Sequence, residues 1–302
     1  MGRHGFLLLL LLAVLPPQVA WGQKRPRRPF VVSEQVRRAI EQAAPAVPFV
    51  TPARPRRVLI YGRWPTHPES VACCFAALEI LGRKTGAFEV VCSGDPEVFS
   101  PNNIKRFDAA VMNNTHERHP LLPLGFQDLP PEPRARAESR EPVLQKSLLE
   151  FVAGGKGIVG IHGAVAGGIR WPEYLEMMGG AYAGHFAGAV WVRPEEPDHP
   201  LCRFLAGESF AVRDEIYMFK ESFARRRVRV LLCLDLEKKP DPGKRSDRDY
   251  VVSWVKSYGR GRVFYCSLGH SLSAYKNPYV LRHYLAGIQF AAGDFPAPAA
   301  PR

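Results

Sequence analysis

The sequence predicts an α/β fold with a mainly parallel sheet, helices on both faces and a strand-rich C-terminal third. Two observations carry this. From Arg57 onward, short apolar runs alternate with stretches of helical periodicity, the order that a parallel sheet with right-handed crossovers requires. The run Ile158 to Ile161 is almost entirely β-branched, as a strand buried on both faces reads, and it ends in His162 between Gly160 and Gly163. Glycine at those points lets the backbone turn sharply, which places an imidazole at the carboxyl end of a central strand, the edge where open α/β sheets bind ligands. The same residues also fit a tight turn whose histidine is only hydrogen-bonded.

The chain of 302 residues, 46% apolar and 11% aromatic, supplies a sizeable core. Arg3 and His4 precede an apolar run, Gly5 to Leu15, that is too short to span a bilayer and right for a signal-peptide core. Ala20 and Gly22 are small where a signal peptidase reads, so residues 1–22 are expected to be a signal peptide and the protein to be exported, to a periplasm or the extracellular space. An uncleaved anchor is the competing reading. No other run approaches transmembrane length, so no stable membrane span is expected after cleavage.

The net charge of +12 points to nucleic acid only until it is mapped. Nine basic residues lie between Gln23 and Arg57 against Glu34 and Glu41, which with Arg3 leaves +4 for the rest. Residues 23–55 therefore read as a basic, Pro/Arg-rich linker with one helix over Ser33–Gln42, and no nucleic-acid partner is expected. Deleting such a solvated arm is expected to leave the thermal midpoint little changed.

The domain is expected over 56–296, with a tail at 297–302. Arg57–Tyr61 reads as the first strand, followed by a turn with Trp64 and His67, then a helix over Ser70–Leu81. Strands follow at Phe88–Cys92 and Phe107–Met112, the latter ending in Asn113-Asn-Thr-His116. Pro120–Pro142 reads as an irregular loop, and Val143–Ala153 as a helix leading into the central strand. A short helix with Pro172 in its first turn precedes Tyr182–His185 and a strand at Ala189–Arg193. Asp198-His-Pro200 is an ordinary turn. Phe210–Phe219 alternates until Asp214-Glu215, and Val228–Leu236 is an apolar strand. Tyr250–Tyr258 and Arg262–Leu268 form a hairpin around Gly259-Arg-Gly261 that delivers Gly269-His270, and Pro278–Ala291 closes the chain as a helix.

GKGIVGIHGA, WPEYLEMMGGAYAGH, DHP, DEIYMF and VSWVKSYGRGRVFYCSLGHS, in that order, resemble the ThuA-like family, named for trehalose utilisation and placed in the class I glutamine amidotransferase-like superfamily. The resemblance covers Arg57 to Gly293. It implies a flavodoxin-like fold and a role in sugar metabolism, with His162 where true amidotransferases place a nucleophilic cysteine. No cysteine occupies that elbow, so a Cys-His-Glu triad cannot be assembled around it and glutamine hydrolysis is disfavoured.

His162, His270 and Glu215 are the catalytic candidates, able to do acid and base work on a sugar hydroxyl or its neighbouring carbon. His162, His185 and His270 are also candidate ligands for a divalent metal such as zinc, since imidazole and carboxylate are its common donors; no other cofactor is indicated. Trp64, His185, Tyr217 and Asp214 are candidates for binding a carbohydrate or other small molecule, and Trp64, Trp171, Tyr182 and Tyr217 for stacking on sugar faces. Adjacent strand residues point to opposite faces, so only one of Asp214 and Glu215 is expected in the cleft, and Glu215 with Tyr217 is preferred. His199 is expected to hold its turn. His67, His116 and His119 rank lower, as loop residues more often solvated than functional. Cys92, Cys233 and Cys266 are expected to be small buried hydrophobes, and the six cysteines do not make a disulfide framework. Two functions remain open: an enzyme acting on a carbohydrate, or a non-catalytic carbohydrate-binding or scaffold domain that keeps the pocket.

The leader pattern predicts a mature amino terminus near Gln23. Intact-mass measurement on protein from its native host is expected to show it, and a retained Met1 contradicts it.

Overall fold

The computed structural model describes residues 30–63, 67–168, 170–220 and 225–302. The expected signal peptide and Trp64 lie outside them. The strands are β1 (Arg57–Tyr61), β2 (Glu89–Ser93), β3 (Ala109–Asn113), β4 (Gly157–Ile161), β5 (Tyr182–Pro194), β6 (Phe210–Phe219), β7 (Arg229–Leu234), β8 (Val251–Tyr258) and β9 (Gly261–Cys266). The helices are α1 (Glu34–Ala43), α2 (Pro68–Thr85), α3 (Pro101–Ile104), α4 (Pro131–Ala153), α5 (Pro172–Met178), α6 (Leu272–Tyr275) and α7 (Pro278–Ala292).

All nine strands form one sheet in the order β2-β1-β3-β4-β9-β8-β7-β5-β6. The first five are parallel, and β9-β8-β7-β5-β6 pair antiparallel. β3 and β4 are buried at every residue, which is why their sequences read as unbroken apolar runs. Side chains alternate cleanly: Val58, Ile60, Val111 and Val159 join the core under α2 and α7, while Leu59, Tyr61, Ala110 and Ile158 join the core under α4 and α5. From β1 the chain steps out to β2 and returns to β3 on the other side, so the strand order reverses between β1 and β3. This is the flavodoxin-like switch point, outside which ligands bind. No helix among the described residues is long and apolar enough to cross a membrane.

Several elements differ from the sequence reading. The stretch expected to be irregular up to Pro142 is helical from Pro131, because a proline in the first turn lacks only an N–H that has no partner there. Pro142 lies inside α4, where it removes one helical hydrogen bond; Leu144, Leu148 and Val152 still hold that face on the sheet. β5 is one strand of 13 residues, beginning at Tyr182. Its small residues show no apolar alternation, and it is pairing with β6, from Tyr182↔Phe219 to Val192↔Phe210, that makes it a strand. Cys92 is exposed on β2, the edge strand, which among the described residues pairs only with β1.

The supposed linker is packed from α1 onward. Ile40 is fully buried in the α2 core, and the Lys84 ammonium donates to the Glu41 and Ala44 carbonyls at 2.6 Å each. Gln289 accepts from the Phe49 amide at 2.7 Å and donates to the Val50 carbonyl at 2.7 Å. Arg54 pairs with Asp108, and Arg56 with Asp294, each at 2.5 Å, so part of the basic excess is matched to acids of the domain. The tail is also held: the Pro298 carbonyl accepts from His199 at 2.9 Å and Arg302 pairs with Glu196.

Two expectations follow. Ile40→Ala should destabilise the protein by about 2–5 kcal/mol in urea unfolding, the usual cost of truncating a buried isoleucine; an unchanged midpoint would restore the solvated-arm reading. His283 is buried on α7, and burial pushes its imidazole down to about 3. The unfolded chain therefore binds the proton first, so this contribution to stability is complete above pH 6.5 and falls away toward pH 3. The loss over that range should be shallower in His283→Gln, by unfolding at stepped pH, and an identical slope contradicts it.

Candidate functional site

Four parallel strands end at one point of the sheet edge, and each is followed by a histidine. His67 lies between β1 and α2, His116 three residues beyond β3, His162 directly after β4, and His270 four residues beyond β9. The antiparallel β5–β6 ribbon supplies His185, Glu215 and Tyr217 on one face, in register as Ala187↔Glu215 and His185↔Tyr217. Ser273 donates to the Arg213 carbonyl and Asn277 to the Ala211 carbonyl, which holds the ribbon beside α6 and the start of α7.

His67, Asn114 and His162 adopt left-handed backbone conformations, at φ 56°, 52° and 46°. Such conformations are sparsely populated by non-glycine residues and cluster where geometry is functional. Gly163 is needed for a different reason: a Cβ there would lie 2.2 Å from the His116 ring, so only glycine lets that imidazole close on the turn.

A backbone carbonyl can only accept, so it places a proton on Nδ1 of two of the rings, His162 and His116. His162 is fully buried and donates from Nδ1 to the Ser267 carbonyl at 2.7 Å, leaving Nε2 aimed at Glu215 Oε2, 3.1 Å away. His116 donates from Nδ1 to the Asn114 carbonyl at 2.8 Å, so its Nε2 accepts the Tyr217 hydroxyl at 3.1 Å. His185 Nε2 meets the other Glu215 oxygen at 3.1 Å, while its Nδ1 lies 2.5 Å from the Tyr182 hydroxyl. His270 Nε2 and His67 Nδ1 are 3.2 Å apart.

Burial alone would raise the Glu215 carboxyl, but the hydrogen bond and charge of His162, with His270 and His185, outweigh it and hold the group below the usual range. Burial pushes His116 down to about 3, with the neighbouring His162 and His67 adding to it, so this ring is neutral. Burial and His270 lower His67 in the same direction.

His162, Glu215 and His270 each offer one ligand atom, all within 4.8 Å of one another. Among the described residues this is the group able to hold a metal ion. His185, also a candidate ligand from the sequence, stands outside this group, and its Nε2 meets the far oxygen of Glu215. His67 and His116, ranked low as solvated loop residues, sit in the cluster, with ring centroids 4.6 Å apart. The strand-end rule that singled out His162 applies equally to His116 after β3.

Other candidates fall elsewhere. Asp214 faces away from the cleft, and both its oxygens accept backbone amides, from Gly269 at 2.6 Å and Ser271 at 2.7 Å. Tyr217 is buried with its ring 4.2 Å from His162, and Trp171 is buried and stacked on Tyr174, so neither presents a face to a sugar. Tyr182 keeps partial exposure. His119 pairs with Glu141 at 3.0 Å, apart from the cluster. His199 holds its own turn and the tail.

Comparison with solved structures supports the fold. A ThuA-like protein from Bacteroides uniformis aligns with a TM-score of 0.60 at 18% identity, over 82% of this chain and 93% of that one. A ThuA-like protein from Parabacteroides merdae gives 0.57 at 18% identity, over 80% and 91%. A cytoplasmic protein from Salmonella typhimurium gives 0.51 at 13% identity, over 78% and 98%. The comparison with curated proteins returns no match. The ThuA family model, described as trehalose utilisation, matches residues 57–291, from the first residue of β1 almost to the end of α7, and so takes in every strand and every histidine of the cluster. The chain belongs to the ThuA, or trehalose utilisation, family.

Proposed function

We propose that this protein is exported and acts on a carbohydrate or sugar derivative in the strand-end cleft, with a divalent cation such as zinc held by His162, Glu215 and His270. One observation carries the reading. The Ser267 carbonyl takes the Nδ1 proton of His162, so the contact of Nε2 with Glu215 Oε2 at 3.1 Å needs either a second ring proton or a cation shared with the carboxylate. Two acceptors so placed repel unless a proton or a cation lies between them. Two histidines and one carboxylate match the donor set of catalytic zinc sites that keep a position open. A cation there would supply a bound water of lowered pKa and polarise a substrate oxygen.

The chain's own residues do the rest. The Ser267 carbonyl orients His162, and His185 engages the Glu215 oxygen that His162 leaves free, the kind of outer contact that sets a ligand's direction. Tyr182, partly exposed beside His185, is the aromatic ring we assign to contact with the sugar. The three left-handed residues at neighbouring strand ends favour turnover over passive binding, since strain of this kind costs about 1–3 kcal/mol each and persists where geometry matters. A cysteine-based glutaminase does not fit. Among the described residues all six thiols are free, and burial pushes Cys73 up to about 11 and Cys202 and Cys266 to about 12, far from thiolate formation at neutral pH.

Purified protein should retain near-stoichiometric zinc by elemental analysis after dialysis. His162→Ala and Glu215→Gln should lower retention at least tenfold, while His199→Ala should not. Absence of any divalent metal after zinc loading would leave the His162–Glu215 pair as a proton-sharing acid–base couple and overturn the cation reading.

A further inference from the structure

Asp214 and Glu215 are neighbours on β6 and point to opposite faces. Glu215 enters the cluster. Asp214 is 1% exposed, and among the described residues no lysine, arginine or histidine forms an ion pair with it. A buried carboxylate without a counter-ion is costly unless hydrogen bonds to its charged form replace water. Here the replacements are two short bonds, from the Gly269 amide at 2.6 Å and the Ser271 amide at 2.7 Å, the residues on either side of His270. The turn they grip is unusual: Gly269 sits at φ 127°, where a Cβ would meet the Tyr284 hydroxyl at 2.8 Å and Ile161 Cγ2 at 2.9 Å.

We propose that Asp214 is a positioning residue that sets His270 as a cation ligand, so that β6 supplies one donor directly and fixes a second through the adjacent residue. The proposal rests on the cation reading of the site. The rest of the loop is held from other directions: the Ser70 hydroxyl donates to the His270 carbonyl at 2.5 Å and the Tyr275 hydroxyl to the Gly269 carbonyl at 2.6 Å. Among the described residues, Asp214 alone binds amides on both sides of the histidine. Displacement of the ribbon would therefore withdraw Glu215 and release His270 in one movement.

The test is a double-mutant cycle in the full-length protein, read by zinc affinity in chelator competition. Asp214→Asn should weaken zinc binding about 10- to 100-fold, the usual effect of losing an outer contact. In the His270→Ala background the same change should have less than about a threefold effect, because the ligand it positions is gone. In zinc-free protein, hydrogen exchange at the Gly269 and Ser271 amides should quicken while amides of β4 keep their rates. An equal loss of affinity with and without His270 would show a general structural effect and overturn the proposal, as would unchanged affinity. If the wild type binds no zinc, the cation reading falls by itself. The exchange data then decide the clamp: quickening confined to Gly269 and Ser271 upholds it, and unchanged rates overturn it. Should Asp214→Asn fail to fold, Ser271→Pro removes one of the two donors and is read by the same cycle and by exchange at Gly269.

Discussion

The seating of the Glu215 carboxylate between His162 and His185 is the contact on which the rest of the site depends. Together with the Asp214 and Tyr217 contacts beside it, it joins two parts of one sheet: the parallel strands, whose ends carry His67, His116, His162 and His270, and the antiparallel ribbon that folds across them. A carboxylate drawn into such a place must find partners as good as water: the His162 and His185 ring nitrogens lie 3.1 Å from its two oxygens, and on the His162 side a proton or a cation has to lie between them. Among the described residues, the result is one carboxylate, Glu215, set among imidazole rings.

The surrounding rings are fixed before any ligand arrives. Each carbonyl from Ser267 to His270 accepts a side-chain donor, in turn His162, Tyr284, Tyr275 and Ser70. The Tyr265 hydroxyl holds the His162 carbonyl at 2.8 Å, which anchors the left-handed turn from below. Hydrogen bonds of this number offset the local strain and limit rotamer freedom, the condition under which a ligand set or acid–base pair keeps its geometry. The neutral His116, carrying its proton toward Asn114 and accepting from Tyr217, braces the other side of the cluster without adding positive charge.

The family and the site answer different questions. Relatives with 18% identity and below share the flavodoxin-like sheet, which explains why strand ends converge and leaves the chemistry to the residues placed there. Those residues are donors of the kind that hold a divalent ion or pass a proton, while burial pushes the thiols of Cys73, Cys202 and Cys266 up. The fold is thus flavodoxin-like, and the residue that follows its central strand β4 is an imidazole, His162.

By itself the sequence determined the parallel half of the sheet, because strands buried on both faces must be continuous apolar runs, and with it the placing of His162 and His270 at strand ends. The alternation along β6 likewise separated Glu215 from Asp214, since side-chain period in a strand is set by the backbone. It misread what depends on partners distant in the chain. β5 is a strand because β6 pairs with it, α1 is part of the domain because α2 covers Ile40, and Tyr217 and Trp171 are buried although they read as exposed platforms. His116 and His67 joined the cluster for the same reason: a loop residue's company is chosen by the strands that end beside it. Local periodicity follows from backbone geometry and is written in adjacent residues, whereas convergence at an edge follows from the order in which strands pair, and only the tertiary structure decides that.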